Sequence, residues 1–273
     1  MRKAGPSGLA MLLKKAPLVG AFFMAAIWHL PALALCPAPP DVQVVGVREV
    51  GDGDTLRLVD GRRVRLIGLN APEIGRKGQP SEPFAVAARQ RLQALVKASG
   101  GQVGLQPGVE PRDKYGRTLA HVYGRSGDNL EAQLLSEGLG YRVAVAPNVA
   151  LTACHQQAEQ AARRAGVGVW RHPAVLGPEQ LNHAGFALIS GQVQSIERNR
   201  GGIWLSLGDD LVLQVPTRLL RDFPSSFADG LKGRTVEARG WVLDRSRKGS
   251  LTSGQARWLM QLTHPSMLER QER

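Results

Sequence analysis

Cysteine is scarce in this chain: only Cys36 and Cys154 occur among its 273 residues. No cysteine–histidine spacing forms a zinc-binding pattern, and the six histidines are scattered, which argues against a zinc centre. In an oxidising compartment the two cysteines would pair; otherwise one could carry a lipid or both stay free. Cys36 stands just before the first expected strand and Cys154 within an expected helix, so a bridge would tie the start of the mature chain to that helix. Acid is also missing from the first forty residues. Arg2, Lys3, Lys14 and Lys15 precede an apolar run from Pro17 to Leu35, broken by His29 and Pro31, and Ala32-Leu33-Ala34 offers a small-residue cleavage site. This is the order of a secretory signal over residues 1–35, so the expectation is an exported protein, periplasmic or secreted. The run is also close to the ~20 residues of a membrane span, and an uncleaved anchor is the alternative. A lipoprotein reading at Leu33-Ala34-Leu35-Cys36 is disfavoured, because leucine stands where a small residue is wanted before the cysteine.

Positive charge, by contrast, is plentiful. The formal net charge is +12, and +8 once the four basic residues of the acid-free leader are removed. That balance suits a polyanionic partner, since lysine and arginine release counterions on meeting phosphate. A basic chain can also simply be more soluble, so charge alone does not name the partner. The length suits one large or two small domains.

The chain is organised around residues 52–73, D-G-D-T-L-R-L-V-D-G-R-R-V-R-L-I-G-L-N-A-P-E. Asp52-Gly53 signals a turn, Thr55 to Val59 alternates as a strand, Asp60-Gly61 is a favoured two-residue hairpin loop, and Arg62 to Leu69 returns. The hairpin sets Asp54 beside the end of the partner strand near Asn70, and Pro72 ends the pairing so that Glu73 falls in a loop. Oxygen donors gathered in this way suit a hard divalent cation, and arginine forks beside them suit a phosphodiester.

Three motifs occur in order: D-G-D-T at 52–55, R-L-x-G-x-N-x-P-E at 65–73 and D-K-Y-G-R at 113–117. Together they resemble the thermonuclease, or staphylococcal-nuclease-like, domain family over roughly residues 42–170. The resemblance implies an OB-type barrel that cuts DNA and RNA with calcium. It implies Asp54 as a calcium-ligating carboxylate and Ala71 as a ligand through its carbonyl. Arg65 and Arg117 would grip the scissile phosphate, and Glu73 would orient or deprotonate the attacking water. Asn70 departs from the family, which usually has aspartate there as a second ligand. The change keeps an oxygen but removes a charge, so manganese or another divalent cation is an alternative to calcium. The implied partners are DNA and RNA, preferably single-stranded, with no small-molecule cofactor. The protein would be a monomer, touching membrane only if the leader is retained. The rival reading is a catalytically weakened nucleic-acid-binding OB-fold protein of the cell envelope, for which Asn70 speaks.

Around this centre, Val42 to Val50 reads as a first strand. Ser81 is expected to cap a helix running to Ala98, with Phe84, Ala88, Leu92 and Leu95 on its apolar face and Arg89 and Arg91 solvated. Gln102 to Gln106 and Thr118 to Tyr123 are strands flanking the loop of Asp113, Lys114 and Tyr115. That loop, with Tyr141, offers candidate substrate contacts, the tyrosines by stacking. Asn129 caps a short helix to Glu137, Leu139 to Val145 returns as strand, and Thr152 to Gly166 is helical. Trp170 is expected to pack back on the barrel, closing a domain over 42–170, and 171–184 reads as a linker. Residues 185–263 alternate as a second small OB-like β domain, with Arg198, Arg200, Arg245, Arg247 and Lys248 in two expected hairpin loops and no catalytic constellation. A charged tail, 264–273, is expected to fray. The fold class is mainly β with helices, α+β: a five-stranded OB-type barrel with packed helices, then a second barrel.

Overall fold

The computed structural model describes Met1 and residues 35–271, except Lys77, Ser253 and the side chain of Lys248. Residues 2–34 of the expected signal segment, 1–35, lie outside the described residues. Among the described residues, no helix is long and apolar enough to cross a membrane.

The first half is built from β1 (Gln43–Asp52), β2 (Thr55–Leu58), β3 (Arg63–Leu66), β4 (Leu69–Asn70), α1 (Ala85–Ala98), β5 (Gln102–Arg112), β6 (Thr118–Tyr123), α2 (Leu130–Ser136), β7 (Tyr141–Arg142) and α3 (Thr152–Ala165). Alternation in β2 and β3 turns Leu56, Leu58, Val64 and Leu66 inward, each at most 1% exposed, while Arg57, Arg63 and Arg65 face out. The strands close a barrel in the order β1-β2-β3-β6-β5. Its β3–β6 pairing is parallel, and the others are antiparallel. The inner face of α1 (Leu92, Leu95, Val96) packs on this core with Leu130 and Leu134 of α2. Asn129 caps α2 as expected, its Oδ1 accepting from the Ala132 amide at 2.9 Å. Cys36 and Cys154 form a disulfide with Cα atoms 5.9 Å apart, joining the start of the described chain to α3.

The second half contains β8 (Val175–Leu176), β9 (Gly185–Asn199), β10 (Gly202–Leu207), β11 (Leu211–Pro216), β12 (Thr235–Asp244), β13 (Trp258–Gln261) and β14 (Leu268–Arg270). It repeats the topology of the first. In each ring the first strand pairs with the second and the fourth, here β9 with β10 and β12, and the third runs parallel to the fifth, here β11 with β13. The chain therefore carries two OB-type barrels in tandem, each ringed by five strands.

Several local expectations need correction. Ser81 does not cap α1. Its hydroxyl accepts from the Gly75 amide at 3.0 Å, and the cap position falls on Phe84, which sits in the left-handed region, is 37% exposed and so leaves the apolar face. Arg91 is not free in solvent; it grips Glu137 of the α2 cap through Nη2 at 2.6 Å. The strand expected over Leu139 to Val145 shrinks to Tyr141–Arg142, because the following residues leave the first barrel. Residues 171–184 are not a bare linker, since β8 pairs parallel with β9. The charged tail does not fray either: Met267 is buried, and β14 pairs with β12. Trp170, expected to pack on the first barrel, is buried together with Ala162 and with Leu188 of the second.

Candidate active site

The site begins where β1 ends. Gly53 turns the chain between two aspartates, and a Cβ there would lie 2.6 Å from the Cβ atoms of both Ala71 and Ala88. Only glycine lets the turn, α1 and the loop after β4 meet so closely. The close approach buries Asp52 and Asp54 in one corner, at 9% and 5% exposure. The Asp54 amide donates to Asp52 Oδ1 at 3.1 Å. Asp54 Oδ2 accepts from the Ala71 amide at 2.8 Å and lies 2.8 Å from Arg65 Nη1, while its Oδ1 accepts from the Thr55 hydroxyl at 3.2 Å.

Arg65 joins three pieces of chain. Its Nη1 also donates to the carbonyls of Leu66 at 3.1 Å and Leu69 at 2.7 Å, and its Nη2 donates to Asn70 Oδ1 at 3.1 Å. The sequence-expected residues Asp54, Arg65, Asn70 and Ala71 are thus brought together. Burial pushes Asp54 up to about 7, with Arg65 pulling it back down and Asp52 adding repulsion. A desolvated carboxylate with one cationic partner is a group that more positive charge would stabilise.

Glu73 follows on an exposed loop that is tied to itself: its amide donates to Glu82 Oε2 at 2.8 Å, and the Glu82 amide donates to the Glu73 carbonyl at 3.0 Å. Partial burial raises the Glu73 carboxyl above its ordinary value, with repulsion from Asp52 next in weight, then the opposing pull of Arg65.

Arg117 arrives from the loop before β6. Arg65 pairs in register with Leu119, and Arg117 lies two residues earlier, so both arginines fall on the same outer face of the barrel. Asp113 organises this loop. Its Oδ1 accepts from the amides of Tyr115 and Arg117 at 2.9 Å each, and its Oδ2 from Arg117 Nε at 2.6 Å. Burial pushes the Asp113 carboxyl up, but its hydrogen bonds from Arg117 outweigh that and leave it below the usual carboxylate range. Asp113 therefore holds the arginine and the turn instead of facing outward. Tyr115 is 64% exposed, with Lys114 Nζ 5.0 Å and Arg117 Cζ 5.6 Å from its ring centroid. Tyr141 pairs with Asn70 across β4–β7 and is wedged between Trp170 and Phe186, at centroid distances of 5.4 Å.

Two members were not singled out from sequence. Asp52 was visible in D-G-D, where two carboxylates flank a single turn residue. Glu82 carried no signal, because only the folded loop brings it to the Glu73 amide.

The donors at the corner are all oxygens: the carboxylates of Asp52 and Asp54 and the carboxamide of Asn70. That set suits a hard cation such as calcium or magnesium, and offers nothing to softer metals. Among the described residues no group of three or more histidine, cysteine, aspartate or glutamate side chains forms a denser metal cluster.

The staphylococcal nuclease homologue profile matches residues 63–172. The thermonuclease of Staphylococcus intermedius is 35% identical over 128 residues, covering 45% of this chain and 74% of that protein. Endonuclease YncB of Bacillus subtilis is 33% identical over 124 residues, or 44% of this chain and 57% of its own. The thermonuclease of Staphylococcus hyicus is 28% identical over 131 residues, with 47% and 76% covered. The profile ends before β9, where the second barrel begins.

Proposed function

The chain belongs to the staphylococcal nuclease family, and from that premise we propose that it is a metal-dependent nuclease that hydrolyses phosphodiester bonds in DNA and RNA. The observation that carries this reading is the buried corner in which Arg65 bridges Asp54 and Asn70, with Glu73 on the adjoining loop and Arg117 on the same barrel face.

A phosphodiester repels hydroxide, so its charge must be offset before water can attack. Calcium held by Asp54, the Asn70 carboxamide and the Ala71 carbonyl would supply positive charge beside the phosphate. The rest falls to the chain. Arg117 presents a guanidinium fork that can hold two phosphate oxygens and stabilise the charge that grows in the transition state. Arg65 does the same once its fork exchanges Asp54 and Asn70 for phosphate oxygens. Glu73 accepts the proton of the attacking water, a role helped by a carboxyl raised above its ordinary value. Asp113 fixes the direction of Arg117, and Tyr115, exposed beside Lys114 and Arg117, offers a face on which a base or sugar can stack.

The basic, acid-free leader and the Cys36–Cys154 bridge support export to an oxidising compartment, and the proposal extends to a monomer acting on single strands. A second reading, binding without cleavage, is favoured by one feature: Asn70 stands where a second ligating carboxylate would bind the cation more tightly.

The test is cleavage of labelled single-stranded DNA and RNA by the leaderless protein in calcium, in manganese and in chelator. Calcium-dependent cutting is the expected result, and cutting in manganese alone would assign the metal differently. Tight binding without cutting in any metal would overturn the enzyme reading in favour of the second.

A further inference from the structure

The short strand β7 has two owners. On one edge it pairs with β4, Leu69 opposite Arg142 and Asn70 opposite Tyr141, and the Val143 amide donates to the Gly68 carbonyl at 3.1 Å. On the other side its chain is held by the second barrel. Arg142 is fully buried, and its Nη1 and Nη2 donate to the hydroxyl and carbonyl of Ser266, both at 2.8 Å. Nη2 also reaches Glu269 at 3.1 Å. Two residues on, the Ala144 carbonyl accepts from the Thr263 hydroxyl at 2.6 Å, and the Ala144 amide meets the Met267 sulfur at 3.2 Å. Val143 and Ala144 are buried in the core of the second barrel, not the first.

Beneath β7 lies a buried ion network spanning both barrels. The Arg142 amide donates to Glu159 of α3 at 2.7 Å. Glu159 also accepts from Arg239 of β12 at 2.6 Å, and Glu237 joins Arg239 at 3.2 Å to Arg163 at 2.7 Å. Removing one member leaves a buried charge without its partner, so the network has one favoured arrangement.

We propose that the second barrel is a positioning element of the active site, with Arg142 as the positioning residue that holds β7, and through it Leu69 and Asn70, in place. Leu69 and Asn70 are the residues whose oxygens receive the Arg65 fork. The path runs Ser266 and Glu269 to Arg142, across the β7–β4 pairing to Leu69 and Asn70, and on to Arg65 and Asp54. Every link is a hydrogen bond or a backbone register pairing, and none passes through solvent. This inference rests on the proposed function for the roles of Asn70 and Arg65, but not for the clamp itself.

Two readouts on the full leaderless chain separate the clamp from the chemistry. Amide exchange of the peptides covering 66–73 and 141–146 reports whether β4 and β7 stay paired. Calcium titration by calorimetry reports whether the Asn70 corner is still ordered. In Arg142→Met, exchange of both peptides is expected to accelerate at least tenfold, and calcium affinity to fall about tenfold. Arg142→Lys, which keeps the charge and loses the fork, is expected to recover only part of each. Should Arg142→Met fail to fold, the paired change Ser266→Ala with Glu269→Gln removes the hydroxyl contact and the carboxylate charge while the Ser266 carbonyl still accepts, and is expected to give smaller shifts in the same direction.

Leu205→Ala is the control. It opens a cavity in the second barrel's core but touches none of the hydrogen bonds to β7, so it is expected to lower stability and leave both readouts unchanged. Unchanged exchange and calcium affinity in folded Arg142→Met would overturn the proposal, as would equal effects from Leu205→Ala. If the wild type neither cuts nor binds calcium, the nuclease reading fails while amide exchange still decides the clamp.

Discussion

Arg65 donates hydrogen bonds to three oxygens and is ion-paired with Asp54, whereas Arg117 is held by a single carboxylate, so the two arginines answer substitution differently. Arg65→Ala strips the partner from a buried Asp54, and we expect about 3 kcal/mol of lost stability on top of lost activity. Arg117 is partly exposed and its ion pair is worth at most about 1 kcal/mol, so Arg117→Ala isolates the chemistry. Its turnover is expected to fall by two to three orders of magnitude, about 3–4 kcal/mol of transition-state stabilisation, with the melting temperature nearly unchanged. Near-normal turnover in the purified variant would remove Arg117 from the site. Asn70→Asp restores a negative charge among the oxygen donors, and calcium affinity measured by titration should rise on the order of tenfold.

His155 supplies a pH test at the same scale. Burial, with repulsion from His121 and Arg142, lowers it to about 3. Its Nε2 lies 3.0 Å from Asn129 Oδ1, which also accepts from the Ala132 amide, so Nε2 is the protonated nitrogen of a neutral ring. The unfolded chain takes up a proton near pH 6.5 and the folded chain does not. The contribution is therefore present above pH 6.5 and is lost as pH falls toward 3, by up to about 1.4 kcal/mol per unit. Denaturant titrations at pH 7 and pH 5 should show a shallower loss in His155→Gln than in the wild type. An equal slope in the two proteins would contradict the assignment. Most of the residues proposed to hold metal and phosphate were legible as a group from the sequence because they sit in contiguous motifs. Glu82, Arg142 and Glu159 were not, since their partners are brought to them by the fold.

Among the elements, the β1–β2 turn carries the close constraint that shapes the site. Gly53→Ala would press its new methyl against Ala71 and Ala88, and is expected to cost about 1–3 kcal/mol by denaturant titration while displacing Asp54. Stability within error of the wild type would show that the turn has slack. The strands with inward leucines and valines at a period of two were readable in both barrels, down to β10, β11 and β12, because alternation follows directly from the pleat. The failures share a physical origin. The strand expected to run on to Val145 stops at Arg142 because Val143, Ala144 and Ala146 serve the core of the second barrel. Likewise β14 hides in a charged tail, since its strand character comes from pairing with β12 and from the buried Met267 beside it. Ser81 misled because a hydroxyl can serve a loop amide as readily as a helix end.

At the scale of the whole molecule, two barrels of one topology share a buried ionic seam, and a disulfide closes a span of 118 residues across the first. Replacing both cysteines by serine should lower stability by roughly 2–5 kcal/mol, read as a shift in the urea midpoint, without altering the catalytic groups. An unchanged midpoint would mean that the bridge constrains nothing the fold does not already hold. The tandem organisation was legible as two runs of alternating strands separated by a proline- and histidine-bearing stretch. The seam was not, because the charged residues of α3, β12 and β14 lie far apart in the chain and share no motif that links them. The corner formed by the first hairpin, with Glu73 beside it, is proposed to break phosphodiester bonds. Its most direct test is the turnover of Glu73→Gln on a labelled single-stranded oligonucleotide at saturating calcium, beside the wild type. Loss of the general base is expected to slow cleavage by roughly two to four orders of magnitude with binding retained, whereas equal turnover in the two proteins would contradict the account.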